Sequence, residues 1–363
     1  MKRSLFLLLS LLLAVFSVGC AATGPALTIT IPNNASAVIW SPEGGEIIAN
    51  GFKEVASGEA GSIGIWSVSS NELVESLIAA NDPNKYNNVS RLSINPSRTT
   101  LLITTPYKPA QSDGFVSVYN VKQNTLETTW EGLSLDDDPA KAQESIQDAA
   151  FSPDGSVYAV AGSFYIRIID STSNSETMRF TVNARGGTVS SGDDRLEVNI
   201  AWSPDGSKLA WTVQDNLSYY DLANSSVTVL KDAQTGTIPA PNEMLAWSPD
   251  GSSIAYENGK ALYIINAADG SLTTTIKVSG EYAANHVKRI QYSPDGTMVV
   301  LCTLEYVGVW KVADKSLVFE QAITKPVNEF DRFEDAAWSP DSSQLAIISY
   351  GDKQILIYNI GQE

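Results

Sequence analysis

Trp202-Ser203-Pro204-Asp205-Gly206 decides the fold of this chain, because it is one of seven near-copies. The others are Trp40-Ser41-Pro42-Glu43-Gly44, Ile94-Asn95-Pro96-Ser97-Arg98, Phe151-Ser152-Pro153-Asp154-Gly155, Trp247-Ser248-Pro249-Asp250-Gly251, Tyr292-Ser293-Pro294-Asp295-Gly296 and Trp338-Ser339-Pro340-Asp341-Ser342. Their leading residues are spaced by 54, 57, 51, 45, 45 and 46 positions. Self-similarity at such a period marks an array of supersecondary units. Each copy reads as a hairpin turn. Proline fixes φ near −65° at the second turn position, Asp tolerates the third, and Gly takes the left-handed position that ends a type I turn with a bulge. Arg98 and Ser342 replace that Gly, so those two turns are expected to be strained or differently shaped.

Working outward, each turn is followed by a short apolar strand, as in Lys208 to Thr212, Ser253 to Tyr256 and Gln344 to Ser349. A third strand alternates with period two: Ile63 to Val68, Phe115 to Val121, Tyr165 to Asp170, Leu217 to Leu222, Ala261 to Asn266, Val307 to Val312 and Ile355 to Ile360. A fourth follows in most units, as in Glu72 to Leu77, Thr125 to Trp130, Val227 to Leu230, Ser271 to Ile276 and Ser316 to Gln321. Seven four-stranded meanders predict an all-β, seven-bladed propeller. The seventh unit stops after its third strand, and Leu27 to Ile31 is an alternating strand that belongs to no other unit. That segment is expected to complete the last blade and bury its open edge.

The aromatic-Ser-Pro-Asp-Gly turn with its apolar strand resembles the WD40 and WD40-like (TolB-type, PD40) propeller repeats, over about Leu27 to Ile360. The third strands end in Trp66-Ser67, Tyr119-Asn120, Ile169-Asp170, Tyr220-Asp221, Ile265-Asn266, Trp310-Lys311 and Tyr358-Asn359, so two units keep the Asp of the family pair and two others the Trp. The Gly-His pair of true WD40 repeats is absent, which makes the WD40-like repeats the nearer likeness.

The N-terminus reads as an address. Met1, Lys2 and Arg3 precede an apolar run from Leu5 to Val18, too short for a comfortable membrane span, and then Gly19-Cys20. Ser17-Val18-Gly19-Cys20 resembles a bacterial lipobox, which implies a signal peptide over residues 1–19 and lipid on Cys20. Residues 20–26 then form a tether and 27–363 the propeller. Localisation is expected at the cell envelope outside the cytoplasm, with the membrane touched only through the lipid.

Composition removes several functions. The 363 residues carry 41 Asp and Glu against 24 Lys and Arg, a net charge of −17. Such a field repels phosphate backbones, so no nucleic-acid partner is expected. One histidine, His286, and two cysteines, Cys20 and Cys302, exclude a Cys/His zinc cluster, and Cys302 in an apolar run is expected to be a buried, inert thiol. No cofactor is expected. Catalysis finds neither a Gly-x-Ser-x-Gly elbow nor a glycosidase propeller motif, although paired carboxylates across a funnel leave no sequence signature.

The tryptophans Trp40, Trp202, Trp247 and Trp338 recur before the turn, where bulky groups pack between blades. Asp136, Asp137 and Asp138, with Glu131 and Glu144 nearby, are the weak candidates for a metal. Calcium takes such oxygen ligands, but neighbouring Asp side chains diverge and no calcium loop surrounds them, so a solvated acidic loop is expected. Long connections gather on the face opposite the turns: 78–90, 131–145, 181–197, 231–243, 277–287 and 322–333, with 50–62 and 106–114 beside them. Loops on a rigid scaffold carry function, so this is the expected binding face. At its inner rim the blades present Ala37, Arg91, Asp148, Asn199, Met244, Arg289 and Asp335. Arg91 and Asp148 fall in adjacent blades, as do Arg289 and Asp335. These pairs either bridge blades or, with Asn199, orient a partner's charged or amide groups. The reading that results is a monomeric, non-enzymatic protein-binding scaffold; the alternative is a glycan-directed, carboxylate-based envelope hydrolase with its site in the funnel.

Overall fold

The structure is a computed structural model that describes residues 24–32, 34–51, 62–78, 89–105, 114–132, 144–182, 198–213, 216–231, 244–258, 261–278, 286–323 and 330–361. Its 28 strands form seven four-stranded antiparallel sheets, arranged as a seven-bladed propeller. Among the described residues there is no helix. After β1 (Leu27–Thr30), blade 1 comprises β2 (Val38–Trp40), β3 (Glu46–Asn50), β4 (Ser62–Ser67) and β5 (Glu72–Ile78). Blade 2 holds β6 (Arg91–Ile94), β7 (Thr100–Thr105), β8 (Phe115–Asn120) and β9 (Thr125–Glu131). Blade 3 holds β10 (Ile146–Phe151), β11 (Val157–Gly162), β12 (Tyr165–Asp170) and β13 (Ser175–Thr181). Blade 4 holds β14 (Asn199–Trp202), β15 (Lys208–Val213), β16 (Asn216–Asp221) and β17 (Ser226–Lys231). Blade 5 holds β18 (Leu245–Trp247), β19 (Ser253–Glu257), β20 (Ala261–Asn266) and β21 (Leu272–Lys277). Blade 6 holds β22 (Val287–Tyr292), β23 (Met298–Thr303), β24 (Tyr306–Lys311) and β25 (Leu317–Ala322). Blade 7 holds β26 (Phe333–Trp338), β27 (Gln344–Ser349), β28 (Gln354–Asn359) and, from the other end of the chain, β1.

Closure is visible in the register. β1 runs antiparallel to β28 with Leu27 opposite Ile357 and Ile29 opposite Ile355. Ala26 and Ile31 extend the pairing by donating their N–H groups to the carbonyls of Ile357 and Lys353. Ile29, Ile355 and Ile357 are buried with Trp40 and Ile47 of blade 1, so the strand that finishes blade 7 also seals it against blade 1. The same logic holds around the ring. Seven apolar clusters occupy the seven junctions between neighbouring blades, which is where a propeller buries its side chains.

The turns have the form that their sequence dictates. In blade 3, Gly155 donates its N–H to the Ser152 carbonyl at 2.9 Å and sits at φ +72°. The Ser152 hydroxyl donates to Asp154 at 2.6 Å, and Asp154 in turn accepts the Ser156 N–H at 3.0 Å. Asp205, Asp250, Asp295 and Asp341 repeat this arrangement. The two turns without glycine keep the same shape and hold the left-handed backbone, Arg98 at φ +53° and Ser342 at φ +64°. Strain is accepted, not relieved by a different turn, because each side chain reaches the preceding blade. Arg98 pairs with Glu46, and the Ser342 hydroxyl accepts the Asp295 N–H at 3.0 Å.

Trp40, Trp202 and Trp338 are buried between blades, as the sequence implies, and Trp247 is half-buried there. Trp40, Trp202 and Trp247 donate their indole N–H to the carbonyls of Ala337, Ala150 and Ala201 in the preceding blades, at 2.9, 3.1 and 3.1 Å. Trp338 is equally buried, but its indole nitrogen finds no hydrogen-bond partner among the described residues.

Candidate functional site

Each innermost strand begins at the face opposite the turns and lines the central channel, which brings the seven rim residues to one end of it. Four of them form two clamps. In the first, Arg91 Nη1 of blade 2 donates to Asp148 Oδ2 of blade 3 at 2.5 Å and to the Ile200 carbonyl of blade 4 at 3.3 Å. The same Oδ2 accepts the Ile200 N–H at 3.0 Å, and Oδ1 accepts the Ala149 N–H at 2.8 Å. In the second, Arg289 of blade 6 grips Asp335 of blade 7 with both Nε and Nη2, at 2.8 and 2.9 Å. Asp335 then accepts the Val38 N–H of blade 1 at 3.0 Å and the Ala336 N–H at 2.9 Å. One clamp therefore ties blades 2, 3 and 4, and the other ties blades 6, 7 and 1.

The bridging role that the sequence left open is thus realised for both pairs. It does not exhaust the arginines. The carboxylate side chains are 3% and 2% exposed, whereas Arg91 is 24% exposed and Arg289 15%. In each clamp the arginine side chain is more open than the carboxylate it holds. Burial pushes the Asp148 carboxyl up from its ordinary value, opposed by Arg91, by the Ile200 N–H and by Arg289. Of the remaining rim positions, Ala37 is fully buried, while Asn199 and Met244 are half-buried and belong to neither clamp.

This geometry bears on chemistry. A carboxylate pair for glycoside cleavage must reach a glycosidic oxygen and a water. Asp148 and Asp335 are almost fully buried, and both oxygens of each already accept hydrogen bonds. They are built to hold backbone and arginine, not to exchange protons with a substrate.

Around the 131–145 connection, the acidic candidates divide. Glu144 is buried, accepts the Tyr165 N–H at 2.8 Å and lies 4.0 Å from Arg167 Nη2. Arg167 in turn donates to the Glu131 carbonyl at 2.9 Å and lies 5.4 Å from the Trp130 ring centroid. Glu144 thus serves a buried junction of blades 2 and 3. Asp136, Asp137 and Asp138 lie outside the described residues, and no three His, Cys, Asp or Glu side chains gather for a metal among the residues that are described. The eight long connections likewise fall outside them apart from their ends, as does Cys20. Cys302 is fully buried opposite Arg289 in the β22–β23 ladder, and burial raises its thiol well above the ordinary value.

Two features had no sequence expectation. The Arg167–Glu144 pair joins residues whose repeat positions are not equivalent, so nothing in the repeat marks it. A groove of about 530 Å³ between blades 5 and 6, of mixed polar and apolar lining, is bordered by Asp250, Asn266, Ile264, Tyr292, Asp295 and Val312 among others.

No protein-family model matches the chain, and no curated protein matches it significantly. The class of protein that fold and site define is a seven-bladed β-propeller whose channel rim carries two arginine–aspartate clamps.

Proposed function

We propose that the chain is a non-enzymatic, protein-binding propeller of the WD40-like kind, tethered to the cell envelope through lipid on Cys20. The observation that carries the binding reading is the division of labour at the channel rim. The acidic side chains there are spent on joining blades, which leaves recognition, not catalysis, to the loop-bearing face. The tether reading rests on the Ser17-Val18-Gly19-Cys20 stretch and on the sense of β1. Because β1 is antiparallel to β28, Leu27 starts at the turn face. Seven residues from Cys20 to Ala26 span at most about 25 Å. The turn face then lies against the membrane and the long connections point away from it.

Affinity capture with the full-length chain from a bacterial membrane extract tests the binding reading. Recovery of a stoichiometric protein partner is expected. Release of reducing sugar from envelope glycans by the purified chain, with no partner recovered, would replace the scaffold by a hydrolase. Metabolic labelling with radioactive palmitate tests the tether: label is expected in the natural chain and lost on Cys20→Ser.

A further inference from the structure

The two clamps differ in how they use the guanidinium. Arg289 spends its Nε–Nη2 edge on Asp335, one N–H to each oxygen. Arg91 spends only Nη1, on Asp148 and the Ile200 carbonyl. Its Nε and Nη2 have no hydrogen-bond partner among the described residues, and the side chain is 24% exposed. That edge is the fork that matches a carboxylate with two parallel hydrogen bonds. Asp148 cannot turn to fill it, because its oxygens are already held by the N–H groups of Ala149 and Ile200. Arg289 lies nearly opposite in the ring, with Nη1 outside its clamp and 15% of the side chain exposed. Of the two arginines, Arg91 is thus the one that keeps an unused donor edge above a buried counter-ion.

We propose that Arg91 forms a carboxylate-binding site at the loop-face end of the channel, and that its occupant is a single carboxylate of a partner polypeptide, such as its C-terminus. The net charge of −17 selects among anions. The long-range field opposes each added negative charge, so a polyanion such as a nucleic acid or an acidic tract is disfavoured, while one carboxylate meets the local fork at the least cost. The proposal rests on the protein-binding reading and gives it a chemistry.

The test titrates the full-length chain with an N-acetylated Gly-Ser-Ala-Leu peptide, with its C-terminal amide, and with acetate, following the arginine Nε–H resonances by NMR and affinity by calorimetry. The free-acid peptide is expected to shift the Arg91 Nε–H signal and to bind at least about tenfold more tightly than the amide, the worth of a charge-assisted hydrogen-bond pair. Arg91→Lys keeps a cation for Asp148 but lacks the fork, so it should abolish that preference while leaving thermal stability near the natural value. If acid and amide bind alike, or if Arg91→Lys retains the preference, the site is wrong. A response to acetate as strong as to the peptide assigns the site to small free acids and overturns the polypeptide occupant. The two readings fail separately. A captured partner that Arg91→Lys still retains sinks the site alone, whereas an intact carboxylate preference with no captured partner sinks the scaffold.

Discussion

The two ends of the channel follow opposite rules. On the turn face, five blades repeat one Ser-Asp hydrogen-bond pattern, and wherever the turn keeps its glycine that residue packs beside the proline of the preceding blade, as Gly206 does beside Pro153. At the opposite rim, seven equivalent positions carry five different side chains. Closing a ring demands that every blade meet the next at the same angle, so the turn face is repetitive. Nothing in closure demands a particular side chain at the rim, and only two of seven positions there, Asp148 and Asp335, reach across to hold the backbone of the next blade. Identity on one face and variety on the other separate what builds the ring from what distinguishes this one.

The largest expected effect comes from opening the ring. Deleting Leu27 to Thr30 removes buried Ile29 and uncovers Ile355 and Ile357 at a free edge. At about 1.5–3 kcal/mol for each buried aliphatic side chain, the loss should exceed about 5 kcal/mol. Urea unfolding checks this, with aggregation as the alternative readout of the exposed edge. A deletion variant as stable as the natural chain would mean that blade 7 closes without β1.

Next come the clamps. Asp335→Ala strands Arg289 and the Val38 N–H, and removing one partner of a buried pair costs about 3–5 kcal/mol. Asp148→Ala should cost less, because Arg91 is held through one nitrogen and is more open to water. Chemical denaturation of the two variants ranks them, and equal losses would mean that the backbone bonds, not the arginines, dominate both clamps.

Glycines of the turn face sharpen the comparison further. Gly155→Ala places a methyl 2.7 Å from Pro96 in a left-handed backbone, whereas at Gly206 the nearest neighbour is 3.7 Å away. Gly206→Ala should cost only the conformational penalty of about 1–2 kcal/mol, and Gly155→Ala more. Melting temperatures of the pair give the difference.

The smallest effect is acid sensitivity. Asp154, Asp205, Asp250 and Asp341 titrate below their ordinary value, first because of the preceding serine hydroxyl and then because of the N–H two residues on; Asp205 is brought to about 2. The unfolded chain therefore takes up protons more readily than the folded one. The stabilisation is complete above the unfolded value near 4 and fades as pH falls from there toward 2. Exposure keeps each contribution small. Asp205→Asn should flatten the dependence of melting temperature on pH over that window and leave it unchanged near neutrality.

Much of the fold is legible in the sequence. Third strands read as Tyr165 to Asp170 and Ala261 to Asn266 are found with those bounds, and others shift by one residue, Val307 to Val312 becoming Tyr306–Lys311. The fourth strand of blade 3, Ser175–Thr181, carries little sequence signal, because only Met178 and Phe180 supply its apolar face and an outermost strand needs no more. The rim positions were legible as a register but not as a site. Arginine and aspartate in adjacent blades announce a charge pair and say nothing of which guanidinium edge it uses.

Range explains the division. The Ser152–Asp154 bond and the left-handed Gly155 lie within one turn, so composition and spacing alone determine them, and seven copies at a near-constant period determine the blade count. The same holds for the closing strand, which the repeat leaves one short at its end and one over at its start. The clamps join residues 57 and 46 positions apart, and their backbone contacts span 109 and 297. Those contacts exist only once the ring has closed and set the distance between neighbouring blades. Which guanidinium edge each arginine spends on its clamp is therefore decided by the assembled ring, where the spacing of neighbouring sheets sets which nitrogens reach the carboxylate.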